Sequence, residues 1–315
     1  MAATDVASLT GLHSAAARRA RVRELVFQGT MLFALLLSLA VLLVLIADIL
    51  TGALPLFQAR GMSFLTDTLS SRPARAGVWQ GILGSLQIVL ITVVVAFPIG
   101  MATAIYLEEY APDNRLTRFI DVNIRNLAGV PSVVYGLLGL ALFVGLLGPR
   151  GVANVTNGST VVAGGLTLAI LALPIVIITA AESIRSVPAS LREGGYGLGA
   201  TRWQVTRQLT LPTAAPGVLT GMILSLSRVI GETAPLIVVG AVTGFLAYGE
   251  ASLLERIYGR FTALPVIVFD WSRQGRREYV DELAPAAIVV LLLFTLSANA
   301  IAILLRNRYE KRAGQ

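Results

Sequence analysis

The sequence predicts an all-α integral membrane protein with six transmembrane helices, and three observations carry that prediction. Of the 315 residues, 55% are hydrophobic and 14% charged, with a mean hydropathy of +0.75, which is far more apolar than a soluble domain of this length. Six runs with few or no charges are long enough to cross a bilayer as helices, at about 20 residues each. Their apolar character is continuous, whereas the strands of a membrane barrel would alternate in polarity.

The elements follow in order. A polar, alanine-rich start up to Ala17 has no pattern that folds alone, so residues 1–26 are expected as a cytoplasmic tail, disordered or loosely helical. The first span is Met31 to Leu50. It lies behind a polar stretch and lacks a clear A-x-A exit, so it is expected to stay as a span and not to be cleaved as a signal peptide. The next spans are Gly81 to Leu107, Leu127 to Gly148, Val161 to Ala181, Thr213 to Thr243 and Leu283 to Leu305. A six-helix transmembrane body over 27–306 and a short cytoplasmic tail over 307–315 complete the division. Pro98, Pro131, Pro174 and Pro235 interrupt spans, where a packing kink is at least as good a reading as a hinge. Gly81, Gly84, Gly136 and Gly139 are read as close helix contacts. The segment Phe261 to Trp271 is too short to span and is expected at the outer interface or dipping partway in. Asn154-Val155-Thr156 fits a glycosylation sequon by chance.

Orientation follows from the Lys and Arg residues between the runs. An even number of spans puts both termini on one side. With the termini inside, that side carries fifteen basic residues, among them Arg18, Arg115, Arg192, Arg207 and Lys311, and the other side carries nine. The bias places both termini and the segment around Glu193 in the cytoplasm. The net charge of +7 is then mostly topological. Its basic residues are scattered over four segments, which argues against nucleic acid as a partner.

What is missing narrows the chemistry. There is no cysteine, the one histidine is His13, and the one lysine is Lys311. Thiol catalysis, zinc-thiolate sites and iron-sulfur clusters are excluded. A Walker A loop needs a glycine-rich turn followed by Lys and Ser or Thr, and no lysine occupies such a place. The chain is therefore expected to be non-catalytic, with no metal or cofactor of its own. Any energy must enter through a partner.

Arg228 and Glu232 fall inside the fifth run, with Arg228 near its midpoint. A charge at that depth costs roughly 2.5–3.5 kcal/mol on insertion scales, so it must face protein, water or a counter-charge. Four-residue spacing puts the two on one helix face, and Gly221 and Ser225 continue the same stripe. A register-fixing buried pair is the bland reading; intramembrane charges are more often pathway residues. The planar guanidinium fork matches oxyanion oxygens and keeps its charge at any biological pH. Glu232 competes for Arg228 and makes a bound anion transient. Arg228, Glu232 and Ser225 are thus the candidate substrate-pathway residues.

The second candidate site is the segment 188–212. Ser190 and Glu193 form an S-x-x-E pattern that predicts a capped short helix, and the region of Gly199 lets the chain turn before a second helix begins. A helix, a bend and a helix make a knob that fits a groove on another protein. From Glu193 through Gly199 to Leu209 and Pro212, the spacing resembles the E-A-A-x3-G-x9-I-x-L-P signature of membrane subunits of bacterial ABC importers. Gly194 and Gly195 stand for the two alanines, and Leu209 for the isoleucine. The stretch Arg228-Val229-Ile230-Gly231-Glu232-Thr233-Ala234-Pro235-Leu236 resembles the R-x-x-G-E-T-A-P-L of PstA-type permeases of the high-affinity phosphate importer. Asn126 to Leu137 and Leu264-Pro265-Val266 resemble further parts of that family.

The resemblance implies a type I ABC importer permease fold in the bacterial cytoplasmic membrane. It implies Glu193, Gly194, Gly195, Gly199, Leu209 and Pro212 as ATPase-coupling residues. It also implies four functional parts: this chain, a sister permease, two copies of an ATP-binding subunit that hold ATP and Mg, and an extracytoplasmic phosphate-binding protein. The rival readings are a permease for another oxyanion, such as molybdate, sulfate or phosphonate, an ion-coupled secondary transporter, and a membrane-bound signalling subunit.

Overall fold

The structure, a computed structural model, describes residues 3–149, 158–242 and 259–313. The Asn154-Val155-Thr156 sequon and the far end of the fifth predicted span lie outside them. The described residues form helices and connecting turns with no strand. Two compact units divide the chain, Met1–Gly52 and Ala53–Gln315.

The first unit is helical from Ala3 onward. It is the greater part of α1, Ala3–Arg60, whose Arg23–Arg60 portion is long and apolar enough to cross a membrane. The start of the chain, expected as disordered or loosely helical, is helical. Alanine and arginine are strong helix formers, and the first proline inside α1 is Pro55.

In the second unit, α6 (Val161–Arg185) is the central helix. Around it pack α3 (Trp79–Ile105), α4 (Arg115–Ala128), α5 (Ser132–Gly139), α9 (Leu211–Gly231) and α10 (Ala234–Val239). Small residues set the approach, since apolar side chains gain little from one another in lipid and close packing must supply the attraction. Gly165 of α6 lies against Ile91 of α3, Gly139 of α5 against Thr167, and Gly221 of α9 against Thr179. The Thr92 hydroxyl donates to the Gly165 carbonyl at 3.1 Å. Gly81, Gly136 and Gly139 sit at such helix contacts, as expected, while Gly84 meets the backbone of Thr262, ahead of the helix that begins at Leu264.

Among the described residues, five helices are long and apolar enough to span, and a bent pair makes six. That pair corrects the predicted third span. The run Leu127 to Gly148 is not one straight helix, because α4 and the helix beginning at Ser132 meet at 103°. Pro131 is extended at the break, with ψ 137°, and the amphipathic α4 carries Arg115, Arg118, Asp121 and Arg125. The fifth predicted span is corrected too. Its helix α9 stops at Gly231, and Glu232 is extended with ψ 119° before α10 begins. A proline at 235 has no N–H for the carbonyl four residues back, so a continuous helix would lose a bond there. Pro98, Pro174 and Pro216, by contrast, lie within continuous helices.

A second core gathers α2 (Ser63–Thr66), α11 (Leu264–Trp271) and α12 (Ala284–Ala313) with the end of α1, around Phe64, Trp271 and Tyr279. The segment Phe261 to Trp271, expected at the outer interface or dipping partway in, packs into the bundle, with Phe261, Leu264, Ile267 and Trp271 buried. Ser85 accepts the Leu264 N–H at 2.8 Å, and Gly84 gives its missing side chain's space to the Thr262 carbonyl. A backbone can enter a span only where its polar groups are met in this way.

Candidate functional site

The first candidate site is the break between α9 and α10. Arg228 lies in the last turn of α9 and Glu232 is its C-cap, so the arginine is at a helix end and not at the middle of a long span. The C-terminal end of a helix carries partial negative charge, which favours a cation there. Arg228 Nε lies 3.6 Å from Glu232 Oε1, with side-chain exposures of 53% and 18%. That separation is an ion pair without a formed hydrogen bond. The guanidinium is held loosely on one side and open on the other.

Ser225 does not join them. It is buried, and its hydroxyl donates back to the Met222 carbonyl at 3.0 Å. Gly217, Gly221 and Ser225 form a small stripe; Gly217 meets Ser183 of α6, and Gly221 meets Thr179. The stripe that Gly221 and Ser225 continue from Arg228 is largely the α6–α9 packing contact, because helix spacing alone does not say which neighbour a face meets. The other broken helix stands beside this break. An added Cβ at Gly136 of α5 would lie 2.8 Å from Pro235 Cα, and the Tyr135 hydroxyl donates to the Leu127 carbonyl across the α4–α5 bend at 2.8 Å. Two helix breaks are therefore stacked, a feature the sequence reading missed. The available signal was the pairing of Gly129 with Pro131 and of Gly231 with Pro235.

The second candidate site is the segment 188–212. It is a helix, a turn and a helix: α7 (Ala189–Gly197), Gly199 at φ +81°, and α8 (Arg202–Val205), which runs through a π turn, Thr206–Thr210, into α9. The cap is not where it was expected. Pro188 is the N-cap of α7, so Ser190 falls inside the helix and the Ser190–Glu193 capping box does not form. A complete capping box forms instead at Thr201 and Gln204, starting α8. The motif residues pack on one another across the turn. An added Cβ at Gly195 would lie 2.8 Å from Leu209 Cδ1 and 2.9 Å from Val205 Cγ2. The small residue at 195 and the apolar one at 209 thus hold the two limbs together, and Pro212 sits in the first turn of α9. Glu193 and Gly194 are exposed, as are Tyr196, Trp203 and Leu198, the last at 90%. An apolar rim on a rigid knob has the form of a docking surface.

No group of three or more His, Cys, Asp or Glu able to hold a metal occurs among the described residues. Helical spans, one of them broken at a charged pair, with an ordered knob between two of them, define a multi-pass membrane protein. Its residues 96–315 match the family described as binding-protein-dependent transport system inner membrane component. The chain belongs to that family.

A probable ABC transporter permease protein of Bacillus subtilis, YqgI, is 31% identical over 269 residues, which cover 82% of this chain and 88% of that one. The phosphate transport system permease protein PstA of Xylella fastidiosa is 30% identical, covering 74% of this chain and 77% of its own. PstA 1 of Mycobacterium tuberculosis is 34% identical over 193 residues, and there the match spans 61% of this chain and 59% of that protein. Among solved structures, the inward-facing MetNI methionine ABC transporter aligns with a TM-score of 0.56 at 18% identity, over 74% of this chain and 97% of that one. A bacterial alginate ABC transporter, in complex with an alginate-bound periplasmic protein, aligns at 0.59 and 14%, over 89% and 95%. These likenesses establish the fold as that of a type I ABC importer permease.

Proposed function

We propose that the chain is the permease subunit of an ATP-driven phosphate importer, forming half of a translocation pathway with a sister permease. The observation that carries this reading is the Arg228–Glu232 pair at the α9–α10 break, an exposed guanidinium beside a loosely held carboxylate inside an apolar bundle. The PstA-named relatives support phosphate as the substrate. Phosphate exchanges with Glu232 for the Arg228 donors during passage, so the anion is recognised without being trapped. Two copies of an ATP-binding subunit, which hold ATP and Mg, receive the segment 188–212 on the cytoplasmic side through Glu193, Gly194 and the exposed rim, a surface whose two limbs are held together at Gly195 and Leu209. An extracytoplasmic phosphate-binding protein delivers substrate to the opposite face. Both termini are cytoplasmic, as the distribution of Arg implies.

The test is reconstitution of this chain with the sister permease and ATPase in liposomes, with binding protein outside. Labelled phosphate uptake that requires internal ATP and is competed by arsenate but not by sulfate or molybdate is the expected result. Uptake without ATP, or competed best by sulfate or molybdate, overturns the reading.

A further inference from the structure

The cytoplasmic end of α3 carries three consecutive side chains that each meet an arginine from elsewhere in the chain. They stand on the π turn Tyr106–Tyr110. Glu108 pairs with Arg185, whose Nε donates at 3.2 Å. Glu109 pairs with Arg192, through Nε at 3.1 Å and Nη2 at 3.0 Å. The ring of Tyr110 lies under the Arg202 guanidinium, 5.6 Å from its centroid. The three arginines belong to the last turn of α6, to α7 and to the start of α8.

The middle contact differs in kind from the outer two. Glu109 has a side-chain exposure of 4%, so its charge is held in a poorly solvated place and depends on its partner. Arg192 uses the rest of its fork on the chain end of α6: Nη1 donates to the Val187 carbonyl and Nη2 to the Ile184 carbonyl, each at 2.8 Å. One guanidinium therefore fixes three elements at once, the knob helix α7, the end of α6 and the end of α3. It stands next to Glu193, the residue through which the knob is read as meeting the ATPase. α6 and α9 are joined to the knob by the chain itself. α3 is joined to it only by side chains.

We propose that the Glu109–Arg192 ion pair is the buried link that ties the end of α3 to the knob, beyond the packing of α3 along α6, so that nucleotide-driven movement of the segment 188–212 carries that end together with α6 and α9. The pair touches neither substrate nor nucleotide; it is a positioning pair, and its role rests on the reading of that segment as the ATPase socket. When the link is cut, the knob still answers the ATPase, but α3 lags and hydrolysis proceeds with less transport.

The test uses the reconstituted complex and reads phosphate moved per ATP hydrolysed, together with co-purification of the ATPase. Glu109→Gln keeps the ATPase bound and hydrolysing, and lowers the transport ratio by about fivefold or more, the lower end of measured couplings between sites. Arg192→Gln gives the same loss, and the double variant loses no more than either single one. Asp113→Asn, in the exposed Arg118–Asp113 pair at the same face, leaves the ratio unchanged. An unaltered ratio in Glu109→Gln with the ATPase bound overturns the proposal while the socket reading stands. ATPase that binds equally well to a chain carrying Gly195→Phe overturns the socket reading itself. Should Glu109→Gln not assemble, Arg192→Lys decides, since it keeps the charge but loses the fork: a lowered ratio supports the link and an unchanged one overturns it.

Discussion

Arg228 owes its usefulness to where its helix stops. At the end of α9 its charge is favoured by the unsatisfied carbonyls of the last turn, and Glu232, one residue beyond Gly231, restrains it at 3.6 Å without closing the contact. Arg228→Gln removes the charge and is expected to abolish phosphate uptake in a normally assembled complex. Arg228→Lys keeps the charge but not the planar fork, and is expected to raise the KM for uptake by roughly tenfold or more, the worth of one charge-assisted hydrogen bond at about 1.5–3 kcal/mol. Retained wild-type uptake in Arg228→Gln removes the residue from the pathway. Gly195 makes a different demand. The atoms an added Cβ would meet are the methyl ends of Leu209 and Val205, which can shift. Gly195→Ala therefore leaves ATPase co-purification near normal, whereas Gly195→Phe drives the two limbs apart and abolishes it. Equal binding by both variants removes the segment 188–212 as the ATPase socket.

At the scale of elements, hydropathy located the runs well because it measures how much apolar chain is available to cross. It could not show where a run bends. Pro98, Pro174 and Pro216 stay inside helices while Pro131 and Pro235 mark breaks, so the proline alone does not tell the two cases apart. The cap shifted for a local reason, since Pro188 starts α7 before Ser190 can serve as a cap. Arg228 and Glu232 were legible because charge in an apolar run is conspicuous; burial of Ser225 was not, because it depends on α6. The stacked breaks yield a contrast between two contacts. At Gly136 a Cβ would press on the Pro235 backbone and on Val238, neither of which yields cheaply. Gly136→Ala should lower stability by about 1–3 kcal/mol, the usual cost of overpacking. Between α9 and α12, the Ser227 hydroxyl reaches Asn299 Oδ1 at 2.7 Å but also has the Ile223 carbonyl at 2.9 Å. Asn299→Leu should cost only about 0.6 kcal/mol, the average for such bonds in a membrane bundle. Denaturation of the detergent-solubilised chain measures both, and a larger loss in Asn299→Leu reverses the ranking.

Across the whole molecule, transport requires that the knob and the opposite end of the bundle face different compartments. The second unit is built for this. α3 runs 27 residues from Trp79 before its π turn meets the knob, a rise of about 40 Å at 1.5 Å per residue, against a hydrocarbon core of about 30 Å. Near the start of α3, the Val78 N–H donates to the Phe64 carbonyl, which places Met62 at the end away from Gly194. In the orientation proposed from the excess of arginine, the knob's side is the cytoplasmic one, where ATP is available. The absence of cysteine makes the arrangement directly measurable, because a single introduced thiol has no background. Met62 is exposed at 72%, and an added Cβ at Gly194 would have no neighbour within 4 Å, so both positions tolerate the change. In intact spheroplasts a membrane-impermeant maleimide should label Met62→Cys at once and Gly194→Cys only after permeabilisation. The reverse pattern inverts the topology and leaves the knob where no ATPase can reach it. Labelling of both from outside means that α3 does not cross, and with that the coupling of a cytoplasmic hydrolysis to a pathway at Arg228 loses its physical basis.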